Sequence, residues 1–206
     1  WQGWTHDHFG QSYFPTRMGP VHRNLGNRNF AEELTDALHA RKIKVVGYYS
    51  YSDLEAWKAN PDWRQKDLQG ADIVEDNFGS MCPNSPYREY LVARVLEIVE
   101  TFDLDGMVLA DSMHFSGRGC YCDYCKEKFR DQYGLRLPES TGAYSTDWHE
   151  YLLWRYNCIR EVFFELSRAI RQRKPEMVLS RWPVPPMLQQ RVWKVSISSC
   201  PRIYVV

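Results

Sequence analysis

Three cysteines crowd into Cys120-Tyr121-Cys122-Asp123-Tyr124-Cys125, and a fourth, Cys82, stands well upstream in Met81-Cys82-Pro83-Asn84. No other feature constrains the fold as tightly. Four soft ligands that converge on one ion hold two remote segments of chain against each other. The competing use of the same residues is a disulfide in a secreted protein, with the remaining thiols free. The C-x-C-x2-C cluster plus one outlier favours a structural zinc bound by Cys82, Cys120, Cys122 and Cys125. A closed four-cysteine site says how loops are held and not what reaction occurs, so function has to be read elsewhere.

At 206 residues, 44% hydrophobic and 15% aromatic, the chain can bury a real core and reads as one globular domain. Its 26 basic and 26 acidic residues are interspersed, and the formal net charge is zero. Nucleic acid and anionic membrane surfaces are therefore not expected partners, since both call for a basic patch. No apolar run approaches the roughly 20 residues that span a bilayer. The chain starts at Trp1 rather than Met, which leaves a removed secretory signal open. Thiolate ligands survive best in a reducing compartment, so the lean is to the cytoplasm.

Helices and strands alternate along the chain. Residues 1–28 read as a long loop without period. Asn29 caps a helix to about Arg41, with Phe30, Leu34, Ala37 and Leu38 inward. The β-branched and aromatic run 43–49 reads as a buried strand. Residues 50–84 look irregular, with a short helix at 54–59. Ser85-Pro86 opens a strong helix through Phe102, serine as cap and proline at the first position. The run 106–110 is the clearest strand and ends in Asp111. Helices follow at 123–133, stopped by Gly134, and at 147–173, and another strand at 177–181. Near-continuous apolar strands between helices point to a parallel α/β sheet. Such barrels take about 250 residues and eight strand-helix units. Three countable strands predict an incomplete (β/α)8 TIM barrel, its N-terminal half, over residues 1–181. Residues 182–206 are an unassigned tail or a truncated continuation of the barrel, with a possible strand stub at 203–206. An open sheet, complete as it stands, is the alternative.

Asp111 is the leading catalytic candidate. Parallel α/β folds project catalytic groups from the carboxyl ends of strands, and a carboxylate there can be a nucleophile or a general acid/base. The bland alternative is a polar strand terminator. His114 lies just beyond and can orient a substrate. A second cluster, His6-Asp7-His8 with the nearby Tyr13 and Phe14, combines hydrogen-bonding groups with flat rings, as sugar binding requires. His6 and His8 can equally form a metal pair. Tyr48 and Tyr49 end their strand on the same presumed face.

These residues add up to a resemblance. Cys82-Pro83-Asn84-Ser85-Pro86-Tyr87-Arg88, Asp105-Gly106 with Asp111 at the strand end, and Cys120-x-Cys122-x2-Cys125-x2-Lys128-Phe129 resemble TIM-barrel glycoside hydrolases. More closely, they resemble the hypothetical glycosyl hydrolases related to α-L-fucosidases. Asp7-His8-Phe9-Gly10, Tyr13-Phe14-Pro15-Thr16 and Tyr48-Tyr49-Ser50 are similar to the same group. The cysteine pattern resembles the zinc motif of glycoside hydrolase family 42 β-galactosidases. The resemblance implies a carbohydrate substrate, retaining hydrolysis with Asp111 as nucleophile, a zinc on the four cysteines, and a substrate face including Asp111, to which the residue reading adds His6, Asp7, His8, Tyr48 and His114. Asp111-Ser112-Met113 lacks the Asn-Glu pair of family 42, so that family's acid/base does not carry over. The rivals are a metal-dependent hydrolase using His6 and His8, and a zinc-stapled carbohydrate-binding module without turnover. Retaining chemistry needs a second carboxyl group, normally from a later strand, so these 206 residues alone are expected to be catalytically incomplete. Half a barrel also exposes strand edges, so self-association as a homo-oligomer is expected.

Overall fold

The computed structural model of the chain describes residues 2–75, 78–110, 113–139 and 146–181. Four strands form one parallel sheet in chain order: β1 (Gln2–Trp4), β2 (Val46–Ser50), β3 (Gly106–Ala110) and β4 (Val178–Arg181). The expected strands near 43–49, 106–110 and 177–181 are thus parallel and in one sheet, with β3 between the other two. Each strand reaches its neighbour through at least one helix, as parallel pairing demands. The arrangement is that of a segment of a (β/α) barrel.

The stretch read as loop contains a strand. β1 is three residues long, too short to display a period of two, and pairing creates it: Gln2 aligns with Val46 and Trp4 with Tyr48. The Thr5 hydroxyl then donates to the Tyr48 carbonyl at 2.7 Å, extending the seam past the last ladder pair. β2 begins later than its apolar run suggests. Lys42 takes a left-handed turn (φ 59°) after α1, and the Val45 amide donates to the Asp105 carboxylate at 2.8 Å instead of to a strand.

Alternation gives the sheet two faces. Tyr49, Met107, Leu109 and Leu179 pack in one core with the helices. Tyr48 and its register partners Val108 and Ser180 occupy the opposite face. On the helical side, α1 (Phe30–His39) begins at Asn29, whose side chain accepts from the Glu32 amide. Its buried positions are Ala31 and Thr35, because Phe30 turns toward Tyr13 rather than toward the sheet. A short α2 (Leu54–Ala59) is capped by Asp53.

Next comes α3 (Tyr87–Thr101), starting one residue later than expected, with the Ser85 hydroxyl accepting from the Tyr87 amide. Its Leu91, Val95 and Ile98 are buried, each worth about 1.5–3 kcal/mol of apolar transfer. Then follow α4 (Asp123–Tyr133), closed by Gly134 at φ 68°, and the 28-residue α5 (Thr146–Arg173). The C-terminal half of α5 packs on the sheet through Val162, Leu166 and Ile170. Its N-terminal half belongs to a second core, where Trp148, Tyr151 and Trp154 meet Phe115, Phe129 and the cysteines. No described helix is long and apolar enough to cross a membrane.

Candidate functional site

The carboxyl ends of the strands gather most of the residues singled out by sequence. Asp111, the residue after β3, lies outside the described residues, and so does the expected stub at 203–206. Among the described residues the geometry is specific. After β1, Asp7 builds its own loop: its Oδ1 accepts from the Phe9 and Gln11 amides at 3.0 and 2.9 Å, and its carbonyl accepts from Gly10. His8 Nδ1 sits 3.0 Å from the Ser50 hydroxyl, with its ring edge-on to Tyr48 and 5.4 Å from Phe78. Phe9 packs on Phe78 and is otherwise exposed.

His6 goes elsewhere. It is fully buried and lies flat on Tyr49, centroids 4.3 Å apart. Burial first, then the nearby Arg94 and His8 charges, hold its pKa well below the ordinary histidine value. His6 therefore stacks on the tyrosine of the helical face, whereas His8 contacts the tyrosine and serine of the other face. Among the described residues, one group of three or more side chains is placed to hold a metal, and it is the four cysteines.

His114 is exposed, with Nε2 3.0 Å from Glu75 Oε2, and its carbonyl accepts from the buried Gln65 side chain at 2.8 Å. Burial pushes the Glu75 carboxyl up, but hydrogen bonds from Ser116 and His114 and the charge of Arg118 outweigh it and hold the pKa below its usual value. Sequence reasoning missed Glu75, Phe78 and Gln65. All three lie in the irregular 50–84 segment, where no period or motif marks a position. Gln65 is a hub. Its Nε2 donates to the carbonyls of Met81 and His114, and its Oε1 accepts from the Ser116 amide.

Two further missed residues anchor the loop that carries His8. Arg94 on α3 donates to the carbonyls of Gly10, at 3.0 Å, and of Met18. Glu97, one turn on, accepts from the Thr16 hydroxyl and the Arg17 amide at 2.6 and 2.7 Å. Both are buried polar positions of a helix whose spacing reads simply as amphipathic.

The cysteine site is the best-defined chemistry. Cys82, Cys120, Cys122 and Cys125 are buried free thiols whose sulfurs all lie within 4.8 Å of one another. Cys82 Sγ is 3.4 Å from Cys125 Sγ and 3.5 Å from Cys122 Sγ. Four sulfurs at about 2.3 Å from one ion would stand about 3.8 Å apart, so the cluster has the size of a tetrahedral site. The Asn84 amide and side-chain Nδ2 lie 3.4 Å from the sulfurs of Cys82 and Cys125, as donors to thiolates would. Burial drives the Cys82 and Cys125 thiols well above the ordinary value, and a central cation is what would reverse that. These residues fit a metal. Backbone bonds tie each of these two segments to residues 63–66, Tyr121 N–H to Lys66 O at 2.7 Å and Cys82 N–H to Trp63 O at 2.8 Å.

Known structures share this fold. α-L-Fucosidase isoenzyme 2 from Paenibacillus thiaminolyticus superposes with a TM-score of 0.72 at 23% identity, over 87% of this chain and 26% of that one. A hypothetical protein from Ruminiclostridium thermocellum gives 0.56 at 16%, over 87% and 80%. The PgaB (BpsB) glycoside hydrolase domain from Bordetella bronchiseptica gives 0.65 at 14%, over 88% and 54%. The glycoside hydrolases among these neighbours are TIM barrels, and the present chain spans about a quarter of the fucosidase. No curated protein matches the chain. Residues 3–111, just over half of the chain, match the family described as hypothetical glycosyl hydrolase 6; the match stops short of Cys120, Cys122 and Cys125. By that match, the chain belongs to the hypothetical glycosyl hydrolase 6 family.

Proposed function

We propose that this chain forms part of a retaining glycoside hydrolase, that Asp111 is its nucleophile, and that Cys82, Cys120, Cys122 and Cys125 hold a structural zinc. The observation that carries the reading is the convergence of His8, Ser50, Phe78 and the Glu75–His114 pair on loops at the carboxyl ends of β1, β2 and β3, where β3 leads directly into Asp111. Substrate hydroxyls pair with His8, Glu75 and His114, while Tyr48, Phe9 and Phe78 offer ring faces and edges to the sugar. Asp7 and His6 serve the site indirectly, Asp7 by shaping the loop that presents His8, His6 by packing beneath it. In the reaction Asp111 attacks the anomeric carbon, a second carboxyl group protonates the leaving oxygen, and water then releases the glycosyl-enzyme. That second group has to stand about 5–5.5 Å from the nucleophile. Asp7 is committed to its loop, and the lowered pKa of Glu75 suits a hydroxyl acceptor better than an acid. We assign the acid to another strand of the barrel. Zinc, when bound, would take four protein ligands and leave no open position, so it staples loops and takes no part in the hydrolysis.

The test is turnover of a panel of aryl glycosides by the longer protein that contains this chain, with Asp111→Gly compared in the presence of azide. Loss of turnover and its recovery as a glycosyl azide support the nucleophile. Glycan binding without turnover, unchanged by Asp111→Asn, would instead favour a zinc-stapled binding module.

A further inference from the structure

Arg155 is a buried cation with no carboxylate paired to it among the described residues. It lies on α5, only 6% exposed. Its Nη1 donates to the Ser116 carbonyl at 2.6 Å, while Nε has no hydrogen-bond partner among the described residues. Its guanidinium carbon stands 5.1, 5.3 and 5.9 Å from the ring centroids of Tyr151, Trp148 and Phe115. The titratable groups that act on it are Tyr151, Tyr156, Tyr121 and Cys120, with no Asp or Glu among them. Three aromatic faces recover part of the desolvation cost, but an uncompensated buried charge remains expensive. The structure around Arg155 calls for an anion, and of the groups that act on it Cys120 is the one that a bound metal ion would hold as an anion.

The thiol cluster has the complementary deficit. Four thiolates around a divalent ion carry a net charge of −2, in a site whose sulfurs are buried. On one side, the amide and Nδ2 of Asn84 point at two of the sulfurs, and Lys128 donates to Asn84 Oδ1 at 3.0 Å while pairing with Glu161. On the other, α5 presents Tyr151 and Arg155 one turn apart. Tyr151 grips Cys120, and Arg155 grips the Ser116 carbonyl, which also accepts from Gly119 at 2.9 Å in the turn leading into Cys120.

We infer that Arg155 is the counter-ion of a doubly negative tetrathiolate metal centre formed by Cys82, Cys120, Cys122 and Cys125. This rests on the reading that the four cysteines hold a divalent, thiophilic ion. Arg155 lowers the net charge of the loaded site from −2 to −1. In the metal-free protein the same charge has no anionic partner among the described residues. A merely structural arginine would stabilise both forms alike, whereas a counter-ion stabilises only the loaded one.

The experiment compares wild type, Arg155→Lys and Arg155→Gln, each reconstituted with zinc under reducing conditions. Zinc affinity is read by competition with a chromophoric chelator, and thermal unfolding is followed with and without metal. Arg155→Gln can still bond to Ser116 but lacks the charge. It is expected to bind zinc about 10–100-fold more weakly, the range for outer-shell partners, and to be no less stable than wild type when metal-free. Arg155→Lys should keep most of the affinity. Equal affinity in wild type and Arg155→Gln overturns the inference, as does equal destabilisation of Arg155→Gln with and without metal. If Arg155→Gln does not fold, Arg155→Lys decides: a loss of about tenfold or more counts against a charge role. A wild-type protein that takes up no zinc overturns the metal reading itself, and the inference with it.

Discussion

The Tyr151 hydroxyl accepts from the Cys120 amide at 2.7 Å and donates to the Cys120 carbonyl at 2.8 Å. One side chain on the long C-terminal helix thus satisfies both backbone groups of a buried cysteine, using a hydroxyl as donor and acceptor at once. Tyr151→Phe removes both bonds and leaves the two groups unpaired, at about 1–3 kcal/mol for each buried group left unsatisfied. Denaturant titration of the metal-loaded variant should show that loss. A variant as stable as wild type would mean that solvent reaches Cys120.

Chelation is expected to loosen the carboxyl-end loops while sparing the sheet. The cysteines join the segments around Cys82 and Cys120–Cys125, whereas Leu91, Val95 and Met107 bury the sheet core independently. Limited proteolysis after metal removal should cut first within residues 64–82 and 113–122, and Cys82→Ser should reproduce the pattern without chelator. First cuts in β2 or β3 would show that the metal holds the whole fold.

Gly10 is irreplaceable for a local reason. It holds φ at 89°, and a Cβ there would fall 2.0 Å from Asp53 Oδ1. Gly10→Ala combines left-handed strain of about 1–2 kcal/mol with displacement of the α2 cap. Since the Gly10 carbonyl also anchors Arg94, the loop bearing His8 should shift as well. Amide exchange across residues 7–19 should speed up in the variant, and unchanged protection there would contradict the clamp.

Asp105 should make stability fall with acid. Burial pushes its carboxyl up, but Lys44, the Val45 amide and His39 outweigh this and hold the pKa well below the usual range. A depressed folded pKa stabilises above the unfolded value of about 3.9 and loses that stabilisation as pH falls below it. At neutral pH Asp105→Asn should cost about 1.5–3 kcal/mol, the range for a hydrogen bond to a charged group. The gap between wild type and variant should begin to narrow below about pH 4 and keep narrowing until pH has fallen through the lowered native pKa. A pH-independent gap would remove the charge from the explanation.

What could be read in advance follows from where the signal was local. The helices at 87–101 and 146–173 announce themselves by apolar spacing, and Gly134 marks a stop that the left-handed φ confirms. The cysteines were legible because thiols of that spacing have few uses. β1 was not, because three residues carry no period and the strand exists only through its partner. His6 and His8 look equivalent in sequence, and only the turn after β1 sends one onto Tyr49 and the other toward Ser50. Gln65, Glu75 and Arg155 were invisible for a related reason. Each is defined by a remote segment that covers or contacts it, and Arg155 reads as the polar side of a helix until the Cys120 loop closes over it.

Covalent trapping tests the central claim most directly. The longer protein containing this chain is incubated with activated 2-deoxy-2-fluoro glycosides, which accumulate the glycosyl-enzyme of a retaining hydrolase, and the labelled protein is digested and mapped by mass spectrometry. The account predicts one adduct per chain, on Asp111, absent in Asp111→Asn. An adduct on any other residue, or undiminished hydrolysis by Asp111→Asn, would contradict it.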